Sequence, residues 1–151
     1  MSGRVELSCN VFVTLRDAKT GRIKRQMAMH NKIPTAGLDF VRELLGNVDR
    51  APTHIAVGDD NTAPAAGDTA LGNEVYRAQI TAKDRDDYTA QFELYLSESE
   101  ANGYTIKEAG VFNLPWSGKG RMLSRVLMAP EFAKDAETTA NIQWNVTVDR
   151  A

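Results

Sequence analysis

The sequence predicts a mainly β fold, a β-sandwich or flattened barrel of seven to eight strands with one short helix at about residues 35–46. Three observations carry that expectation. Apolar residues recur at every second position in segment after segment, the spacing of strands that bury one face. A period near 3.6 occurs once, in "PTAGLDFVRELLG". Clusters of Gly, Asp, Asn, Ser and Pro separate the alternating segments.

Taken in order, the first strand sets Val5, Leu7, Cys9, Val11, Val13 and Leu15 on one face and Glu6, Ser8, Asn10 and Thr14 on the other. Asp17 and Gly21 in "RDAKTGRIK" supply a reverse turn, and Ile23 to Met29 returns as its partner, so a hairpin opens the fold. In the helix, Leu38, Val41, Leu44 and Leu45 share a face opposite Asp39, Arg42 and Glu43, with Pro34 at the entry and Gly46 at the exit. "THIAVG" and "VYRAQITA" are short strands. "YTAQFELYL" aligns Tyr88, Ala90, Phe92, Leu94 and Leu96, leaving Tyr95 opposite, so this sheet is expected to have two faces to cover. Between them "KDRDD" reads as a tight, solvated turn. "YTIKEAGVFNL" and "RMLSRVLM" follow, and "TTANIQWNVTV" aligns Ala140, Ile142, Trp144, Val146 and Val148. No repeat or linker interrupts the chain, so residues 1–151 are expected to form a single β-rich domain.

Charge and cysteine content exclude several classes. Eighteen basic against twenty acidic side chains leave a net charge of −2, too little to draw the chain to nucleic acid or an anionic membrane, and neither is an expected partner. A single cysteine, Cys9, excludes an internal disulfide and a two-cysteine metal site. No apolar stretch of signal-peptide or membrane-spanning length is present, so a soluble chain made without export is expected.

The loop "VGDDNTAPAAGDTAL", residues 57–71, invites three readings. A phosphate loop would need a lysine at a fixed offset from its glycines, and three aspartates would repel the anion. Calcium would suit Asp59, Asp60, Asn61, Thr62 and Asp68, yet the EF-hand spacing fails. The expectation is a connection without metal or other cofactor, in which Asp68 caps a turn before Leu71. His30 and His54 stand apart from any nucleophile or metal-ligand partner, with His54 a structural residue inside a strand, and Glu98 and Glu100 sit in the solvated turn "SESEANG". No catalytic residue is expected. Trp116 in "PWSGKG" suits packing on a neighbouring subunit better than stacking on a sugar. Glu74, Arg77, Glu108 and Arg125 each interrupt an apolar run. They either stand exposed on an open sheet face or pair, tying strands together or meeting another subunit.

"HNKIPTAGLDFVRELL", "THIAVGDDNTAPAAGDTALGNEVYRAQI", "YTIKEAGVFN" and "MLSRVLM", in this order over residues 28–128, resemble the tail-fibre and tail-collar class of tailed-bacteriophage structural proteins. The resemblance implies a non-enzymatic virion component of the tail, baseplate or fibre-attachment region, made in the host cytoplasm. It implies a homo-oligomer onto which other phage tail or baseplate proteins dock. No long fibre shaft is expected with this domain, and the expected role is that of an adaptor, collar or tip piece, with Glu74, Arg77, Glu108, Arg125 and Trp116 as structural or interface residues. The competing expectation is a module recognising a host surface glycan through Trp116, Tyr104 and nearby acidic loops, and a weaker one is a hydrolase using Glu98 and Glu100.

Overall fold

In the computed structural model, residues 4–46 and 50–150 are described; the first three residues and the last of the expected 1–151 domain lie outside that range. Nine strands form two antiparallel sheets among the described residues. The strands are β1 (Val5–Asp17), β2 (Ile23–Lys32), β3 (His54–Gly58), β4 (Glu74–Gln79), β5 (Ala82–Asp86), β6 (Thr89–Leu96), β7 (Tyr104–Phe112), β8 (Met122–Lys134) and β9 (Thr138–Arg150), with one helix, α1 (Thr35–Leu45). One sheet has the order β2-β1-β9-β6-β5 and the other β4-β3-β7-β8, so the fold is a sandwich and not a closed barrel.

The strand beyond the expected eight is β5, where "KDRDD" pairs residue by residue with β6 instead of turning. All five of its residues are exposed, because an edge strand carries charge on both faces and shows no apolar alternation. The reversal falls at Asp87 and Tyr88, with Asp87 in the left-handed region at φ 47°. Strand β8 also runs further than "RMLSRVLM" predicts. Its pairing jumps from Glu108 with Leu127 to Ile106 with Phe132, so Pro130 sits in a bulge where no ladder N–H is required.

The core lies between the sheets. Cys9, Val11, Val13, Leu94, Leu96, Ile142 and Trp144 face inward from one sheet, and Ile55, Val57, Ile106, Val111 and Phe132 from the other. Periodicity errs at the ends of the strands: Val5, Tyr88 and Val148 follow the apolar alternation yet are exposed, since the facing sheet does not reach them. In α1, Leu38 and Leu45 are exposed while Phe40 is fully buried in the main core and Val41 and Leu44 are half-buried. The helix packs against the edge strand β8, and this contact selects the Gly37 and Phe40 side of the helix. Tyr95 stands among amide side chains, so the outer face of the five-stranded sheet is polar rather than a second apolar face.

Cys9 Sγ donates to Ser124 Oγ across the sandwich at 3.4 Å. Burial pushes its thiol up, an effect partly offset by Ser124 and by the nearby Trp144 indole. Iodoacetamide is therefore expected to leave the native thiol unmodified and to alkylate it fully in denaturant. Rapid modification of the folded chain would contradict this packing.

Candidate functional site

The outer face of the four-stranded sheet is covered by the residue 59–73 loop. Strand alternation places Ala56, Glu108, Gly110 and Phe112 on that side, and Leu71 folds down to join Ala56, Phe112 and Met122 in a small second core. Gly110 leaves the space that Leu71 fills, since a β-carbon there would press on the Leu71 side chain.

At the centre of this cover is a buried ion pair. Arg125 Nε donates to Glu108 Oε2 at 2.7 Å, and the two side chains are 3% and 0% exposed. Glu108 also accepts the backbone N–H groups of Gly72 at 2.9 Å, Asn73 at 2.8 Å and Asp60 at 3.4 Å. One carboxylate thus gathers both ends of the loop. Gly58 is required beneath it, because a β-carbon would overlap the Glu108 carboxylate and the Asn73 carbonyl. Arg125 reaches Asp68 at 3.4 Å and Asp60 at 4.0 Å, and its backbone carbonyl accepts from the Asn31 side chain. Its Nη2 has no hydrogen-bond partner among the described residues. Beside it a cavity of about 280 Å³ opens between Ile33, Pro34, the residue 64–66 segment and Asp68.

Asp60 and Asp68 share Arg125, and each loop aspartate also has a partner of its own. Asp59 accepts from the Asn73 side-chain amide at 2.5 Å, and Asp60 accepts from the Thr62 N–H at 2.6 Å. The Thr62 hydroxyl and N–H hold the Asp60 carboxyl below its ordinary value, with smaller help from Arg125 and Lys107. Asp68 closes a turn backwards, accepting from the Ala65 N–H at 2.9 Å, and does not cap a turn ahead of Leu71 as expected. No group of three or more His, Cys, Asp or Glu among the described residues is arranged to hold a metal ion.

A second pair stands on β4, which begins directly after Asn73. Arg77 makes a two-pronged contact with Glu74, Nη2 to Oε1 at 2.7 Å and Nε to Oε2 at 3.0 Å, and the two side chains are 2% and 9% exposed. Residues three apart in a regular strand face opposite ways. Here the register slips between Val57 and Gly58, leaving Val75 unpaired, and this bulge turns Glu74 to the Arg77 side. Arg77 Nη1 then donates to the Leu114 and Lys119 carbonyls at 2.8 and 2.9 Å, and the guanidinium lies 3.9 Å from the Phe112 ring centroid. The pair pins the residue 113–121 loop, which carries Trp116 outward at 64% exposure.

Glu74, Arg77, Glu108 and Arg125 are thus paired within one chain rather than exposed. Tyr104 opens β7 and Trp116 follows its other end, with a strand about 27 Å long from Tyr104 to Phe112 between them, so the two do not read as one platform for a sugar. His54 is held by the Thr53 hydroxyl at 2.7 Å, and burial, then Arg77, pulls its imidazole below the ordinary value. His30 contacts Asn10 at 2.9 Å. Comparison with protein-family models, curated proteins and solved structures finds no match to the chain.

Glu98 and Glu100 are not equivalent carboxylates. Glu100 accepts the Tyr76 hydroxyl at 2.7 Å and the Ser97 N–H at 3.1 Å. The Tyr76 hydrogen bond holds Glu100 below its ordinary value, while burial and the carboxylate push Tyr76 up to about 12. The signs follow. Stabilisation from Glu100 is complete above the usual glutamate value of about 4.3 and is lost as pH falls through its lower folded value. Stabilisation from Tyr76 is complete below about 10 and is lost as pH rises through about 12. Tyr76→Phe is expected to flatten the acid limb of the denaturant midpoint against pH and to remove a phenolate absorbance step near 12. An unchanged acid limb would contradict the assignment.

Sequence reasoning missed how the loop contributes to this site, through the backbone N–H groups of Gly72 and Asn73 on Glu108 and the reach of Asp60 and Asp68 to Arg125, and it also missed the Tyr76–Glu100 bond. An excess of acidic residues in a loop of a chain with an interrupting arginine in β8 was the one available signal, and it carries no information on pairing.

Proposed function

We propose that the chain is a non-enzymatic virion protein of the tail, baseplate or fibre-attachment region of a bacteriophage, made in the host cytoplasm and acting as an oligomeric adaptor, collar or tip piece. The observation that carries this reading is where the stretches bearing the resemblance meet. "AVGDD" supplies Gly58 and Asp60, "LGNEVYR" supplies the Gly72 and Asn73 N–H groups with Glu74 and Arg77, "EAGVF" supplies Glu108, Gly110 and Phe112, and "SRVLM" supplies Arg125. These residues interlock into a cover that holds loops rigidly over one sheet, and such a cover suits a part that works by shape and by docking.

Surface suited to contacts remains outside this cover. Val5, Tyr88 and Val148 come together with Asp149 and Arg150 at one end of the five-stranded sheet, and Trp116 projects from its pinned loop. Exposed aromatic and aliphatic groups of this kind favour association. Light scattering is expected to find an oligomer that Tyr88→Lys with Val148→Lys disrupts, and mass spectrometry of purified particles of the encoding phage is expected to recover the chain in several copies. A monomer at all concentrations together with particles free of the chain would overturn the reading.

A further inference from the structure

The helix and the residue 59–73 and 113–121 loops all gather at the four-stranded sheet, whereas the outer face of the five-stranded sheet is left without a covering layer among the described residues. Strand register defines that face row by row. His30, Asn10, Asn145 and Gln91 stand side by side across β2, β1, β9 and β6. The next row holds Phe12, Gln143 and Glu93, and the next Thr14, Asn141 and Tyr95. Ser8, Thr147 and Thr89 complete it on the other side of the asparagine row. Four rows on three central strands make a patch about 20 Å long and about 10 Å wide.

Glu93 is the one charged residue on those three strands within the patch, in a chain that is 25% charged, while Asp84 and Asp86 continue two of the rows on the edge strand β5. That composition is costly locally. Asparagine is disfavoured in strands, and Asn10, Asn141 and Asn145 all occupy internal strand positions. Sequence that runs against local preference without a packing gain points to a role outside the fold. The side chains are only partly satisfied by each other: His30 with Asn10 at 2.9 Å, Gln143 Nε2 to Asn145 Oδ1 at 3.2 Å, and Thr89 with Thr147 at 3.0 Å. Each amide offers two donors and an acceptor oxygen, so most of this capacity faces outward. Phe12 and Tyr95 stand among the amides at 41% and 46% exposure.

We infer that this face binds a neutral carbohydrate. A sugar presents hydroxyls that both donate and accept, which matches neutral amides and hydroxyls, and it presents C–H faces that rest on exposed aromatic rings such as Phe12 and Tyr95. The other occupants fit less well. Nucleic acid needs basic side chains, and the three central strands contribute none to the patch. A second copy of the chain would bury many partly paired amides where the centre of a stable interface is apolar. The inference rests on the face itself and not on the virion assignment, so particles lacking the chain would leave it standing.

Affinity electrophoresis tests it, with the full chain run through gels containing dextran, mannan, laminarin or galactomannan, and through heparin as a polyanion. Retardation is expected in at least one neutral gel and not in heparin. Asn145→Ala, Gln91→Ala and Phe12→Ala are each expected to weaken that retardation about tenfold, while Trp116→Ala leaves it unchanged. Protection of the Cys9 thiol from iodoacetamide verifies that each variant is folded. Migration unaffected by all four neutral polysaccharides overturns the inference, as does loss of retardation through Trp116→Ala alone. Self-association in sedimentation that the same three face substitutions abolish would give the face to a second copy and overturn it equally.

Discussion

Glu108→Ala is expected to lower unfolding stability by about 3–5 kcal/mol, because it strands the Arg125 guanidinium in a buried site. The expectation follows from geometry: the carboxylate is fully buried and accepts Arg125 together with three backbone N–H groups. Removing it unties the loop at Asp60 and at Gly72–Asn73 together, so the Leu71 plug should loosen with it. Glu108→Gln retains the shape and one acceptor oxygen but not the charge, and should fall between the wild type and Ala. Denaturant titration of Glu108→Ala, Arg125→Ala and the double variant provides the check. A double-variant loss well short of the summed single losses is expected for residues in direct contact. Losses that add, or a Glu108→Ala shift below about 1 kcal/mol, would place the pair in solvent.

Gly37→Ala should cost as much as a severe overpacking substitution, about 3 kcal/mol or more, although alanine is the better helix former. The glycine is buried where α1 crosses β8, and a β-carbon would run into the Leu123 carbonyl oxygen and the Ile33 side chain. The carbonyl belongs to Leu123, left unpaired by a bulge in β8 but held between the paired residues Met122 and Ser124, so the helix is expected to lift and withdraw Phe40 from the core. Limited proteolysis should then cut within residues 33–46 while the β9 centre stays protected. Exposed Leu38→Ala on the same helix is the contrast, expected to change stability by no more than about 0.5 kcal/mol. A Gly37→Ala chain as stable as the wild type would mean that the helix does not dock as closely as described.

Gly37 also illustrates what one-dimensional reading loses. Periodicity places a helix over residues 35–46 and assigns Leu38, Val41, Leu44 and Leu45 to its inner face, but the inner face is the one that β8 contacts, turned toward Gly37 and Phe40. A hydrophobic stripe states that a helix has a side to bury, and the neighbour decides its exact bearing. The same limit explains Val5, Tyr88 and Val148, which obey the alternation and still lie beyond the facing sheet. It explains β5 in the opposite sense, since an edge strand needs a partner's backbone and no apolar side chains at all.

By itself the sequence determined the mainly β class, eight of the nine strands, the single helix and the alternating core residues of β1, β6 and β9, because those depend on periods of two and 3.6 that are local in the chain. It also singled out Glu74, Arg77, Glu108 and Arg125 as charges out of place. Only the tertiary structure decided what they are for. Glu74 meets Arg77 because a bulge against β3 turns one strand residue over. Glu108 meets Arg125 because β7 and β8 are neighbours in one sheet, with the loop N–H groups arriving from more than thirty residues away. The uncovered amide face likewise exists only once β1, β9 and β6 lie side by side, since scattered asparagines and glutamines become a surface only when register aligns them. Pairing, cover and exposure are properties of neighbours distant in sequence, and no local period encodes them.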